Sequence, residues 1–65
     1  MIIVNTRQQD WHAGLTVQDV LDRNQYVFRH IVVRVNGEYV PEESWPSFPV
    51  SDGDDVTVLH LMAGG

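Results

Sequence analysis

The residues with the clearest chemical use in this 65-residue sequence are Gly64 and Gly65. They follow Ala63 and a strand-like run, Val56-Thr57-Val58-Leu59-His60-Leu61-Met62. Taken as the end of the chain, they offer a free main-chain carboxylate on a tail without side chains. Glycine extends freely and has no β-carbon to block a narrow channel, so such a tail can be threaded into another protein's active site. A bare carboxylate is a poor electrophile. Adenylation with ATP makes it a mixed anhydride, and a sulfur nucleophile can then displace AMP. In that chemistry this chain supplies only the acyl group, and the adenylating machinery belongs to a partner. The plain alternative is a frayed terminus, because small residues gather at chain ends.

Other candidate chemistry is sparse. Asp52, Asp54 and Asp55 surround Gly53. A calcium loop needs ligands spread over about twelve residues and a closing glutamate, so this cluster reads as a polar β-turn. His12, His30 and His60 sit on separate segments without i, i+4 pairing, which disfavours a metal site. His60, near the tail, reads as a solvent-facing strand residue or a handhold for a partner. No Ser/His/Asp set, glycine-rich phosphate loop or carboxylate pair can be argued from spacing. There is no cysteine, which removes thiolate chemistry, disulfides and cysteine-based metal sites. The expectation is a chain with no catalytic machinery or cofactor of its own.

Composition narrows the partners. The net charge is -5, and Arg7, Arg23, Arg29 and Arg34 are the only Lys/Arg cations. A phosphate backbone needs a cationic stripe, so nucleic acid is disfavoured, as is an anionic membrane surface. The acidity suits a protein partner with a basic docking face, and it equally suits plain solubility. The apolar start, Ile2-Ile3-Val4, is stopped at once by Asn5, Thr6 and Arg7, too soon for a signal peptide. The chain is therefore expected to be cytoplasmic and a monomer on its own.

The length supports a single domain over residues 1–65, with a small core. Met1–Thr6 reads as a first strand, apolar enough to lie in the middle of a sheet. Arg7–Asp10 reads as a turn, and Trp11-His12-Ala13 as a short return strand. Thr16 and Asp19 form a capping-box pair that opens a helix over Val17 to about Asn24. Leu15 and Val20 are placed to make a hydrophobic staple. Val17, Val20 and Leu21 share one helical face, and an Asp19–Arg23 pair is expected on the other. The segment from Tyr26 to His30 reads as a loop with Phe28 partly buried, or as one more helical turn.

Ile31–Val35 is a second strongly apolar strand, and Asn36-Gly37 is a strong two-residue hairpin signal leading into Glu38–Val40. Pro41 stops that strand. The crossing to Pro49 is expected to be pinned by its aromatics, with Trp45 on the core edge. Ser51–Asp55 is a turn, and Val56–Met62 is the last strand, with Val56 and Val58 facing in and Thr57, Leu59 and Leu61 on the other face, where Leu59 and Leu61 are either covered by another element or exposed beside the tail. The first, third and last strands form the middle of a mixed sheet, and the one helix must cover one face. That order predicts an α+β chain with a β-grasp (ubiquitin-like) fold, a mixed four- to five-stranded sheet crossed by one helix.

Several of these segments resemble, in order, the ThiS family of ubiquitin-like sulfur carriers, within the ThiS/MoaD superfamily. They are the apolar start ending in Asn5, Gly14-Leu15-Thr16-Val17, Val35-Asn36-Gly37-Glu38, Val40-Pro41 before Trp45, Asp52-Gly53-Asp54, and Ala63-Gly64-Gly65. The resemblance spans essentially the whole chain. It implies that Gly65 is adenylated by an E1-like adenylyltransferase (ThiF type) using MgATP. Gly65 then becomes a thiocarboxylate, with sulfur from a sulfur-donating enzyme. The resemblance further implies that a thiazole synthase (ThiG type) takes this sulfur for the thiazole ring of thiamin. Gly64 and Ala63 are then the threaded tail. Leu59, Leu61 and Met62 are assigned to the adjoining partner surface from their position beside it. Tyr26, Phe28, Glu42 and Glu43 depart from the pattern expected of the family. Three other readings stay open. One is a carrier for molybdopterin or another sulfur-containing product. Another is a β-grasp module that binds through its sheet and is never activated. The third is protein conjugation, although the absence of lysine excludes lysine-linked chains of the protein itself.

Overall fold

The structure is a computed structural model and describes residues 1–26 and 30–60. Among these residues, five strands and one helix follow in the order β1 (Ile2–Val4), β2 (Arg7–Gln9), α1 (Val17–Arg23), β3 (Ile31–Val35), β4 (Glu38–Val40) and β5 (Asp55–His60). A single 3₁₀ turn, Glu42–Ser44, lies in the crossing between β4 and β5. The sheet order is β2-β1-β5-β3-β4. β1 and β5 run parallel at the centre, and the other neighbours are antiparallel. This is the β-grasp fold, with the three most apolar strands in the middle as their composition requires.

Alternation along the strands sorts the residues by face. Ile2, Val4, Val33, Val35, Val40, Val56 and Val58 are buried on the inner face. Leu15, Val17, Val20 and Leu21 meet them from the helical side, and Val50 closes the cluster. Each fully buried aliphatic of this kind stabilises the fold by about 1.5–3 kcal/mol, which is how so short a chain holds together without disulfides.

The helix begins as its sequence dictates. The Asp19 N–H donates to Thr16 Oγ1 at 3.2 Å, and the Thr16 N–H donates to Asp19 Oδ2 at 3.0 Å. Leu15 and Val20, the staple pair, are both buried. The next orphan donors of the first turn are met from the crossing. The Val17 N–H reaches the Phe48 carbonyl and the Gln18 N–H the Trp45 carbonyl, both at 3.0 Å. The proline-rich crossing is thus held by backbone bonds to the helix start as well as by its aromatics. Trp45 also donates from Nε1 to the Val40 carbonyl at 3.0 Å, and Trp45 and Phe48 pack on the core edge. The helix ends one residue short of expectation, with Asn24 as its C-cap. Arg23 does not pair with Asp19. Asp19 is committed to the cap, and Arg23 donates to the Asp10 carbonyl at 2.7 Å.

The N-terminal hairpin is shorter than the sequence suggested. β1 stops at Val4, and Asn5 and Thr6 turn the chain with φ of 48° and 73°. β2 is therefore Arg7–Gln9, not Trp11–Ala13. β2 is an edge strand and entirely polar, so it carries no apolar alternation to announce it. Trp11 instead anchors the loop after it, half-buried and donating from Nε1 to the Val50 carbonyl at 2.7 Å. The β3–β4 hairpin turns at Asn36-Gly37 as expected, with φ of 53° and 85°.

Candidate functional site

The sequence directs attention to the end of β5. This strand is gripped along its full described length on one side. Residues Val56–His60 pair in register with Val35–Ile31 of β3. On the other side β1 pairs only at Asp55 and Val56. Beyond that point the grip passes to a side chain. The Asn5 N–H donates to the Val56 carbonyl at 3.0 Å. Asn5 Oδ1 accepts the Val58 N–H at 2.8 Å, and Asn5 Nδ2 donates to the Val58 carbonyl at 3.2 Å. The same Nδ2 lies 3.3 Å from the hydroxyl of half-buried Tyr26, so the clamp also touches the chain leaving the helix.

The helix covers the inner face. The outer face carries Ile3, Thr57, Leu59, Val32, Arg34 and Tyr39 by strand alternation. Register sets Leu59 beside Val32, Thr57 beside Arg34, and Arg34 beside Tyr39. Ile3, Leu59 and Tyr39 are exposed, Tyr39 at 63%. A shallow concavity of ≈ 540 Å³ opens here, lined by Ile3, Asn5, Thr6, Thr57, Val58 and Leu59, with Asp55 at one end. An exposed apolar surface with few charges is of the kind that marks a protein interaction site.

Of the residues assigned from sequence, Leu59 is found exposed at the end of β5, on the outer face as expected. His60 is exposed at the last described position of the strand. Leu61, Met62, Ala63, Gly64, Gly65 and Phe28 lie outside the described residues. Asp52–Asp54 lie in a turn and Asp55 already opens β5, one residue earlier than the sequence suggests. The Asp54 carboxylate accepts from the Ser51 N–H at 2.8 Å and from Asn36 Nδ2 at 2.9 Å. Among the described residues, no three His, Cys, Asp or Glu side chains converge as a metal ion requires. Nor is any helix among them long and apolar enough to cross a membrane.

Two features escaped the sequence reading. In the sequence Asn5 shows only as the end of an apolar run, although a side-chain amide can stand in for a peptide unit. Ile3 belongs to a continuous apolar run that reads as the middle of a sheet, yet it is 37% exposed on the open face.

Comparison with known proteins gives a consistent picture. The sequence model of the ThiS family matches residues 2–65. The sulfur carrier protein ThiS of Escherichia coli is 30% identical over 64 residues, covering 98% of this chain and 97% of that protein. A thiazole synthase from Paramagnetospirillum magneticum is 28% identical over 64 residues, 98% of this chain but only 20% of that much longer protein. Among solved structures, the crystal structure of the thiamine biosynthesis protein ThiS from Geobacter metallireducens superposes with a TM-score of 0.80 at 28% identity, covering 98% and 97% of the two chains. A solution structure of a thiamine biosynthesis protein from the same organism gives 0.75 at 31% identity, covering 98% of this chain and 86% of that one.

Proposed function

The chain belongs to the ThiS family, and from that premise we propose that it carries sulfur for the thiazole ring of thiamin, with Gly65 as the group that is activated. The observation that carries the reading is that the family match runs through residue 65, so the Gly-Gly pair falls within the shared sequence. The reaction follows from main-chain chemistry. A Gly65 carboxylate oxygen attacks the α-phosphorus of ATP, pyrophosphate leaves, and an acyl adenylate forms. Hydrosulfide, released by a sulfur-donating enzyme, then attacks the acyl carbon and expels AMP, leaving a thiocarboxylate. The chain contributes the acyl group and its presentation. An E1-like adenylyltransferase of the ThiF type contributes the MgATP site, so the carrier is a substrate and not an enzyme.

The thiazole synthase that contains a segment like this chain supports a synthase of the ThiG type as the consumer of that sulfur. A carrier in the same polypeptide as the synthase is held at high effective concentration beside it. The proposed role is a cytoplasmic one. We assign docking to the open sheet face around Leu59 and Ile3, continuing into Leu61 and Met62, with Ala63 and Gly64 as the threaded stem. The exposed face alone would also fit a module that binds partners and is never activated.

Intact mass after incubation with ATP, a sulfur source and a ThiF-type enzyme tests the proposal. One sulfur-for-oxygen exchange, localised to Gly65 by fragmentation, is expected. An unchanged mass with an activating enzyme that converts another ThiS carrier would overturn it.

A further inference from the structure

We infer that the Asn5 side chain positions the reactive tail, by replacing a missing strand residue beside β5 and fixing where that strand hands over to the segment ending in Gly65. The inference rests on the proposed role of Gly65. Its structural basis stands apart from that role. β1 leaves β5 after Val56 because the backbone must turn into β2, and Asn5 takes a left-handed φ of 48° to do so. A parallel neighbour would have continued the ladder at Val58. The Asn5 amide supplies the equivalent acceptor and donor, at 2.8 and 3.2 Å, from a side chain.

Few residues can do both jobs. The left-handed region is open to Gly, Asn and Asp and costs most others energy. Glycine has no amide to offer. Aspartate has the acceptor but lacks the donor, and it sets a negative charge against the Val58 carbonyl. Asparagine alone meets the backbone and the hydrogen-bonding requirement together.

The consequence is mechanical. Val58 lies seven residues before Gly65. At ~3.3–3.6 Å per extended residue, that stretch spans about 24 Å at most. A tail threaded into a distant site must start from a fixed point, because a displacement of about 1 Å at the reacting atom can cost a hundredfold in rate. Without the clamp, the Val58 N–H and carbonyl lose the partners they have, and β5 there is tied to β3 only through the neighbouring pairs. The body still folds and docks through its sheet face, but the carboxylate meets ATP less often in a reactive pose.

The test uses the full chain as Asn5→Gly and Asn5→Asp variants, with a ThiF-type enzyme, ATP and pyrophosphate release as readout. Asn5→Gly keeps the turn conformation and removes the amide. Its kcat for adenylation is expected to fall about tenfold, with KM within about twofold of the parent. Asn5→Asp should fall in the same direction by less. A loss of folded protein alone would raise apparent KM and leave kcat unchanged, so the split separates positioning from stability. Hydrogen exchange and ¹⁵N relaxation on the free proteins form the second arm. The Val58 amide should exchange about tenfold faster in Asn5→Gly, with Val33 unchanged. A folded Asn5→Gly protein with parental kcat, or with parental protection at Val58, overturns the inference. If the parent itself is not adenylated, the proposed function fails instead, and the exchange at Val58 still decides whether the clamp exists.

Discussion

The two ends of β5 are held by different means. At its entry, bonds from several directions overlap. Asn36 reaches Asp54 Oδ1 from Nδ2 and accepts the Asp55 N–H on Oδ1, both at 2.9 Å, while its own N–H donates to the Asp55 carbonyl at 2.8 Å. The Ile3 and Gly53 N–H groups add bonds of 2.9 Å to the Asp54 and Met1 carbonyls. Towards its exit, β3 holds one side, and on the other the amide of Asn5 follows where β1 leaves. A network with several members loses stability by degrees when one is removed. A side-chain clamp on the strand that leads to the proposed reactive group has less stability to lose and more function. Damage at the entry should therefore register in folding, and damage at the exit in activation.

The largest effect is expected at the tail itself. Extending Gly65 by one alanine replaces the proposed reactive carboxylate with a peptide bond. Adenylation at Gly65 should be lost by at least about a hundredfold. The thermal midpoint should not move, since nothing in the core is touched. Pyrophosphate release and a calorimetric scan on the same preparation check both halves. Full activity after the extension would show that the carboxylate of Gly65 is not the reacting group.

Asn36→Ala is the complementary change at the entry. It removes two side-chain hydrogen bonds and leaves alanine at a φ of 53°. Exposed bonds of this kind are each worth about 0.5–1 kcal/mol, and the left-handed conformation costs a residue with a β-carbon about 1 kcal/mol more. A loss of about 2 kcal/mol is expected, lowering the midpoint by roughly 8–16 °C in a domain this small. Below the transition, kcat for activation should match the parent. A reduced kcat in fully folded Asn36→Ala would mean that the two ends of β5 are coupled, and the comparison would fail.

These contrasts were only partly visible in the sequence. The helix was legible because Thr16, Asp19, Val17, Val20 and Leu21 each obey a local rule, and tertiary packing agrees with all of them. The central strands were legible because burial on the inner face demands the valines that announce them. The Asn36-Gly37 turn declared itself because both residues tolerate positive φ. The first hairpin did not, because Asn5-Thr6 supplies only one such residue and β2 is an exposed edge with no apolar face. The Asn5 clamp was hidden for a different reason. It joins residues 53 positions apart, and no local pattern encodes that contact. For the candidate site, the sequence marked Gly64, Gly65 and Leu59 by type and position. The open face that Leu59 shares with Ile3 depends on the parallel pairing of β1 with β5.

Thr6 gives the smallest and sharpest test of the boundary between the two behaviours. It adjoins Asn5 and shares the turn, but its side chain is exposed. Its φ of 73° is unfavourable for a β-branched residue by about 1–2 kcal/mol. Thr6→Gly relieves that cost. Glycine also gains more freedom in the unfolded chain, which opposes folding by about 0.5–1 kcal/mol. The balance favours the variant by about 0.5 kcal/mol, or roughly 2–4 °C in the midpoint. If Asn5 acts through its amide, the turn need only deliver that amide to Val58, and kcat for activation in Thr6→Gly should equal the parent's. If instead the strained turn itself sets the tail, relaxing Thr6 should change kcat while raising stability. Thermal scans paired with single-turnover adenylation separate the two, because the expected shifts in stability and in rate then differ in sign or in presence.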